Sequence, residues 1–182
     1  LIPKEIHSFE ASSQNFNSLK KKLNILQSNI HLNNFGLSDE NKDIKINQSI
    51  ESSSSTLSNI NKDSKYFKKK IKILGLSDEE YSSENIVRLK RLDDYFIENN
   101  LHEIDLLKID TEGHEYFVLK GSSKILSKIH YIYFEHHYDD MINKGYTFSI
   151  IHNFLIRNNF RKIFKSKMFF RKTFEYIYKN LN

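Results

Sequence analysis

The sequence predicts an α/β layered fold, and three features carry that expectation. Short apolar runs alternate along the chain with stretches of helical spacing. The run Leu106-Leu107-Lys108-Ile109 is too short for a helix core and is followed at once by an acidic pair, Gly113 and a helical pattern. Near the end, apolar residues at 160–164 and 174–178 read as two strands joined around Lys165-Ser166-Lys167, an antiparallel pair.

The stretch Leu106-Leu107-Lys108-Ile109-Asp110-Thr111-Glu112-Gly113-His114-Glu115 organises the rest. Its apolar half fits a strand buried on both faces. Gly113 allows a tight exit, after which Phe117, Val118, Leu119, Ile125 and Leu126 follow helical spacing, with a break at Gly121. Asp110, Glu112 and His114 therefore gather at the strand's carboxyl end, where ligands bind in open α/β sheets.

Taken in order, Glu5-Ile6-His7-Ser8-Phe9 reads as a first short strand with Glu10 at its end. Ser12 or Ser13 can cap the following helix. Phe16, Leu19, Leu23 and Leu26 form its inner stripe, and Lys20, Lys21 and Lys22 its wet side. Ile30 to Phe35 is the next strand, running into the turn Gly36-Leu37-Ser38-Asp39. Residues 43–47 suggest an exposed strand. Residues 48–64, rich in Ser and Asn, read as a flexible loop or an irregular insertion, part of a less regular segment spanning 48–84. The basic, aromatic run 65–76 fits an edge strand or a short helix. Residues 85–92 alternate as a strand should, and Asp93 is expected to cap the helix that follows, which Asn99-Asn100 closes. Tyr131-Ile132-Tyr133-Phe134 is another buried strand, ending at Glu135. A helix at 148–158 turns Ile151, Phe154 and Leu155 inward.

The run Glu135-His136-His137-Tyr138-Asp139-Asp140 invites a metal reading. Neighbouring histidines on an extended chain point to opposite faces, however, so no metal is expected and the run reads as a substrate-binding loop, with Glu135 and His136 as its contacts.

At 182 residues with 38% hydrophobic and 28% charged residues, the chain fits one globular domain rather than a disordered one. No apolar run reaches membrane-spanning length. Cysteine is absent, which excludes disulfides and thiolate metal sites and is compatible with the cytoplasm. The net charge of +5 allows a basic module for an anionic partner, although the lysine run lacks stacking aromatics and no nucleic acid is expected.

The central stretch, with Leu119-Lys120-Gly121 after it, resembles the signature of the FkbM family of S-adenosylmethionine-dependent methyltransferases. Phe9-Glu10, Leu37-Ser38-Asp39, Leu92-Asp93-Asp94 and Phe134-Glu135 agree in order. The resemblance implies a Rossmann-like class I methyltransferase sheet, mostly parallel, seven-stranded, with an antiparallel C-terminal hairpin. It implies S-adenosylmethionine as cofactor, held by Glu10 at the ribose hydroxyls, by Leu37, Ser38 and Asp39 at the adenine, and by Asp110. The implied reaction is methylation of a hydroxyl on a glycan or small metabolite. Asp110, Glu112 and His114 are the catalytic candidates: Asp110 to position cofactor or acceptor, Glu112 and His114 to assist. Histidine titrates near neutrality and would suit a base; the alternatives are that Glu112 favours the positive helix N-terminus and that His114 is a surface residue. The family's Asp-x-Gly segment is absent before Glu10, and the chain opens on Leu1 rather than Met. The expectation is therefore a domain lacking its first strand and glycine loop, inactive as an isolated piece, or else a degenerate domain.

Overall fold

A computed structural model of the chain describes residues 4–23, 29–49, 55–56, 59–60, 64, 68–69, 72, 82–138, 142–169 and 172–182. Leu26, most of the basic run at 65–76, Asp139 and Asp140 lie outside the described residues. In chain order the elements are β1 (Ile6–Phe9), α1 (Ser13–Leu23), β2 (Ile30–Asn33), β3 (Gly36–Leu37), β4 (Lys42–Ser49), β5 (Ser55–Thr56), β6 (Asn59–Ile60) and β7 (Ser82–Lys90). Next come α2 (Leu92–Glu98), β8 (Ile104–Ile109), α3 (Glu115–Lys120), a 3-10 turn (Leu126–Lys128), β9 (Ile129–His137), β10 (Ile142–Asn143), α4 (Phe148–Arg157), β11 (Phe160–Lys167) and β12 (Thr173–Asn180).

The fold is α/β, with mixed rather than mostly parallel sheets. Strands run β11-β12-β9-β8 in one sheet and β3-β7-β4-β5 in another, with separate pairs β1-β2 and β10-β6. Parallel pairing joins β1 to β2, β3 to β7 and β8 to β9. The long ladder between β4 and β7 is antiparallel, as are β9-β12 and β11-β12. The C-terminal hairpin expected from the sequence is thus present, with longer strands and its turn further along. Among the described residues, β1 pairs only with β2 and β8 only with β9.

The core lies on one face of the β8–β12 sheet. Leu107 and Ile109 of β8, Ile132 and Phe134 of β9, and Tyr176 and Tyr178 of β12 are buried there. Leu92, Tyr95 and Phe96 of α2, Val118 and Leu119 of α3, and Ile151 and Leu155 of α4 belong to the same cluster. The alternation of side chains leaves the other face open. Leu106 is 55% exposed, and Lys108 and Asp110 are exposed beside it. This corrects the expectation that β8 is buried on both faces: the described helices contribute their apolar residues to the other side.

Several local expectations hold and others shift. Ser12 Oγ accepts from the Asn15 N–H at 3.3 Å and so caps α1. The inner stripe of α1 is only half-buried, and Lys20, Lys21 and Lys22 are exposed. The loop expected at 48–64 contains the end of β4 and the short strands β5 and β6. Asn100 and Asn159 close α2 and α4 in left-handed geometry, at φ 52° and 64°. Asp93 is not a cap. It sits in the first turn of α2, fully buried, where its carboxylate accepts from the Arg91 guanidinium at 2.6 Å and the Lys124 N–H at 3.0 Å. Glu135 lies within β9 rather than after it.

Candidate functional site

The loop between β8 and α3 is held by one carboxylate. Glu112 and Gly113 both turn left-handed, with φ of 48° and 96°. That conformation is natural for Gly and costs a non-glycine residue about 1–2 kcal/mol. Glu115 is fully buried behind the loop. Its carboxylate accepts from the Gly113 N–H at 2.8 Å, from Thr111 Oγ1 at 3.2 Å and from the Tyr146 hydroxyl. Burial and the neighbouring Glu115 push the Tyr146 pKa up, so the phenol stays protonated and donates.

The turn after β3 meets the start and end of α3. His114 is buried, not a surface residue: its Nε2 lies 2.9 Å from Ser38 Oγ and its ring stacks on Phe117. Burial lowers the His114 pKa to about 4, outweighing the Asp39 charge that favours protonation. Ser38 is itself buried and donates to Asp39 at 3.2 Å. Burial disfavours the Asp39 carboxylate, yet Lys120 Nζ at 2.5 Å holds its pKa below the usual carboxylate range. Arg91 donates to the Asp39 carbonyl at 2.6 Å. Gly121 must be glycine here, because a Cβ on it would fall 1.9 Å from the Ser38 carbonyl oxygen. Leu37 is buried in the core cluster. Beside this turn, a cleft of about 380 Å³ is lined by Asp39, Glu40, Arg91, Tyr116, Lys120, Ser123 and Phe154.

A second group lies on the open face at the ends of β8 and β9. Asp110 is exposed, 3.4 Å from Lys108 Nζ. It follows Ile109, whose register partner is Phe134, so Asp110 and Glu135 continue the ladder side by side. Burial and then the Asp110 charge raise the Glu135 pKa. Glu175, opposite Glu135 on β12, accepts from the Tyr133 hydroxyl, and that bond with burial lifts the Tyr133 pKa to about 12. Glu135 and His136 take opposite faces. His136 is buried against Tyr138, Tyr146 and Phe148, its pKa lowered to about 4 chiefly by burial. The histidine on the side of Glu135 is His137, with Nε2 3.3 Å from Glu112 and Nδ1 3.1 Å from Thr173 Oγ1.

Glu10 stands at the end of β1, half-buried, with Oε1 accepting from the Ser12 N–H at 2.8 Å. Burial raises its pKa against the pull of Ser12 and Asn15. The carboxylate keeps unused acceptor capacity, which suits a vicinal diol.

The sequence model of the methyltransferase FkbM domain matches residues 3–162. The chain belongs to the FkbM methyltransferase family. No curated protein and no solved structure matches it. The FkbM match covers β1 with Glu10, the turn after β3, and the ends of β8 and β9, whereas Thr173 and Glu175 of β12 lie beyond it. Three residues of the FkbM domain to which the sequence assigned no site role now stand beside them. Arg91 and Lys120 clasp the Asp39 turn, and Tyr146 caps Glu115. Lys120 was legible as part of Leu119-Lys120-Gly121; the contacts of Arg91 with Asp39 and of Tyr146 with Glu115 carried no local signal, since these partners are distant in sequence.

Proposed function

We propose that this FkbM domain transfers a methyl group from S-adenosylmethionine to a hydroxyl oxygen of a glycan or small metabolite, at the open ends of β8 and β9. The observation that carries the reading is the adjacent pair Asp110 and Glu135, two carboxylates at strand ends of which one has its proton affinity raised. Such a pair divides the work between a charged positioning group and a base. S-adenosylmethionine supplies an electrophilic sulfonium methyl when bound.

Glu10 accepts hydrogen bonds from the ribose diol through the capacity that Ser12 leaves free. Leu37, Ser38 and Asp39 present the turn that flanks the adenine, held rigid by His114, Lys120 and Arg91. Asp110 orients the acceptor, and Glu135 takes the hydroxyl proton as that oxygen gains the methyl. His114 acts as a positioning residue, since its Nε2 is engaged by Ser38 and its low pKa makes it a weak base. Glu112 with His137 borders the acceptor side. Among the described residues β1 pairs only with β2 and β8 only with β9, which supports the expectation of a strand between β1 and β8.

The test is a calorimetric titration of the natural full-length protein with S-adenosylhomocysteine. Glu10→Ala should weaken binding by about 1.5–3 kcal/mol, as for a hydrogen bond to a charged group. Unchanged affinity removes Glu10 from the ribose.

A further inference from the structure

A cluster of metal-competent side chains lies at the opposite end of β1 from Glu10. Side chains two apart on an extended chain share a face, so Glu5 and His7 point the same way. On the parallel neighbour β2, His31 is the register partner of His7. The pairing of β1 with β2 therefore brings a Glu-x-His on one strand beside a His on the next. Each offers one ligand atom, and the three atoms lie within 4.8 Å of one another. The two imidazole rings stack with centroids 4.5 Å apart and planes 10° from parallel.

The environment of His7 resembles that of a ligating histidine. Its Nδ1 is 2.7 Å from the Tyr95 hydroxyl, and Asn33 Nδ2 donates to the same oxygen at 3.2 Å. Tyr95 is clamped in turn by Phe9, edge-on with centroids 4.8 Å apart. An outer partner of this kind fixes the orientation of the ring and leaves the other nitrogen free to ligate. That nitrogen, Nε2, is buried and has no hydrogen-bond partner among the described residues; the Glu5 carboxylate lies 3.5 Å away. A buried, unbonded imidazole nitrogen is costly unless something takes its lone pair.

We propose that Glu5, His7 and His31 bind one divalent transition-metal ion of the zinc type. Two imidazoles and a carboxylate form a standard donor set for such ions, with water completing the shell. His31 and Glu5 are exposed, so small rotations can draw their ligand atoms in from 4.8 Å to bonding geometry around one ion. The ion would clip β1 to β2 and, through Tyr95, both strands to α2. Glu5 and Glu10 are five residues apart, about 16 Å along an extended chain. The site shares no residue with the proposed cofactor and methyl-transfer residues, and its test does not depend on activity.

Untagged, chelator-treated protein is titrated with ZnCl2 by calorimetry and with CoCl2 by visible absorption, and its thermal melting is followed with and without zinc. The expected result is one equivalent bound, cobalt bands of a low-symmetry nitrogen and oxygen site, and a higher melting temperature with zinc. Glu5→Gln and His31→Ala alter exposed side chains and should leave metal-free melting unchanged while weakening zinc binding at least tenfold each. Tyr95→Phe, which keeps the ring and removes the outer partner, should cost about 10–100-fold. Absence of saturable zinc binding overturns the proposal. So does one-equivalent binding that survives both Glu5→Gln and His31→Ala unchanged, because the ion then sits on other histidines.

Discussion

His114 Nε2 and Ser38 Oγ meet at 2.9 Å across 76 residues of chain, and both side chains are buried. The contact ties the N-terminus of α3 to the turn after β3, beside the contact of Lys120 with Asp39. Burial sets the protonation of this joint. A charged imidazole there would have to give up its water, and the His114 pKa falls from 6.5 to about 4.

That shift makes stability depend on pH. The unfolded chain takes a proton on His114 below about 6.5, whereas the folded one does so only near 4. The stabilisation is complete above pH 6.5 and is lost as pH falls through that window, by about 3 kcal/mol in total. His136, also lowered to about 4, adds to the same slope. Glu10 and Glu135, whose pKa values are raised, work in the opposite direction on acidification. Denaturant melts at several pH values, compared between the wild type and His114→Gln, should show a shallower acid slope in the variant. An identical slope would contradict the buried neutral imidazole.

Gly121→Ala tests the close approach of the same turn from the other side. The φ of Gly121 is −68°, which alanine tolerates, so backbone strain is not the issue. The added Cβ would lie 1.9 Å from the Ser38 carbonyl oxygen, and one of the two backbones has to move. The expected cost is about 1–3 kcal/mol or more, read as a lower denaturation midpoint. A neutral substitution would mean that the turn after β3 yields without resistance.

Much of this arrangement was legible from local pattern. The hairpin of β11 and β12, the period change at Gly113 and the serine cap of α1 are written within a few residues of where they act. The open face of β8 was not legible, because Leu106 is as apolar as Leu107 and only the packing of α2, α3 and α4 distinguishes them. Asp93 misled for a related reason: a capping aspartate and one paired with Arg91 have the same local sequence. At the candidate site, the motif gave Asp110, Glu112 and His114 as a group. The structure divides them, since His114 turns inward to Ser38 while Glu112 meets His137. Alternation along β9 likewise sets Glu135 with His137 rather than with His136, which follows from strand geometry once the strand is seen to continue past Phe134.

Glu115→Ala should be among the most damaging single changes in the domain. The substitution removes the shared acceptor of the Gly113 N–H, the Thr111 hydroxyl and the Tyr146 hydroxyl, and it releases a loop in which Glu112 is already left-handed. Leaving a buried donor without its acceptor costs about 1–3 kcal/mol for each group affected. Glu115→Gln, which retains an acceptor oxygen, should lose less. Equal melting temperatures for the wild type and the alanine variant would refute the hub role.

Asp110→Asn separates charge from shape at the proposed methyl-transfer centre. Asp110 is exposed, so the fold should survive with its melting temperature nearly unchanged. Its charge is one of the causes that raise the Glu135 pKa, second to burial. Without it, the Glu135 pKa should fall part of the way back toward 4.5, and the acid limb of the rate profile should move to lower pH. The base is then weaker and the acceptor less well held, so turnover at neutral pH should drop about tenfold or more. Glu135→Gln, which removes the base outright, should lose about 10²–10⁴ in rate and abolish that limb. Methyl transfer measured across pH 4 to 9 in the full-length protein decides between outcomes. If Asp110→Asn keeps both wild-type turnover and an unmoved acid limb, the pair is structural and the proton leaves by another route.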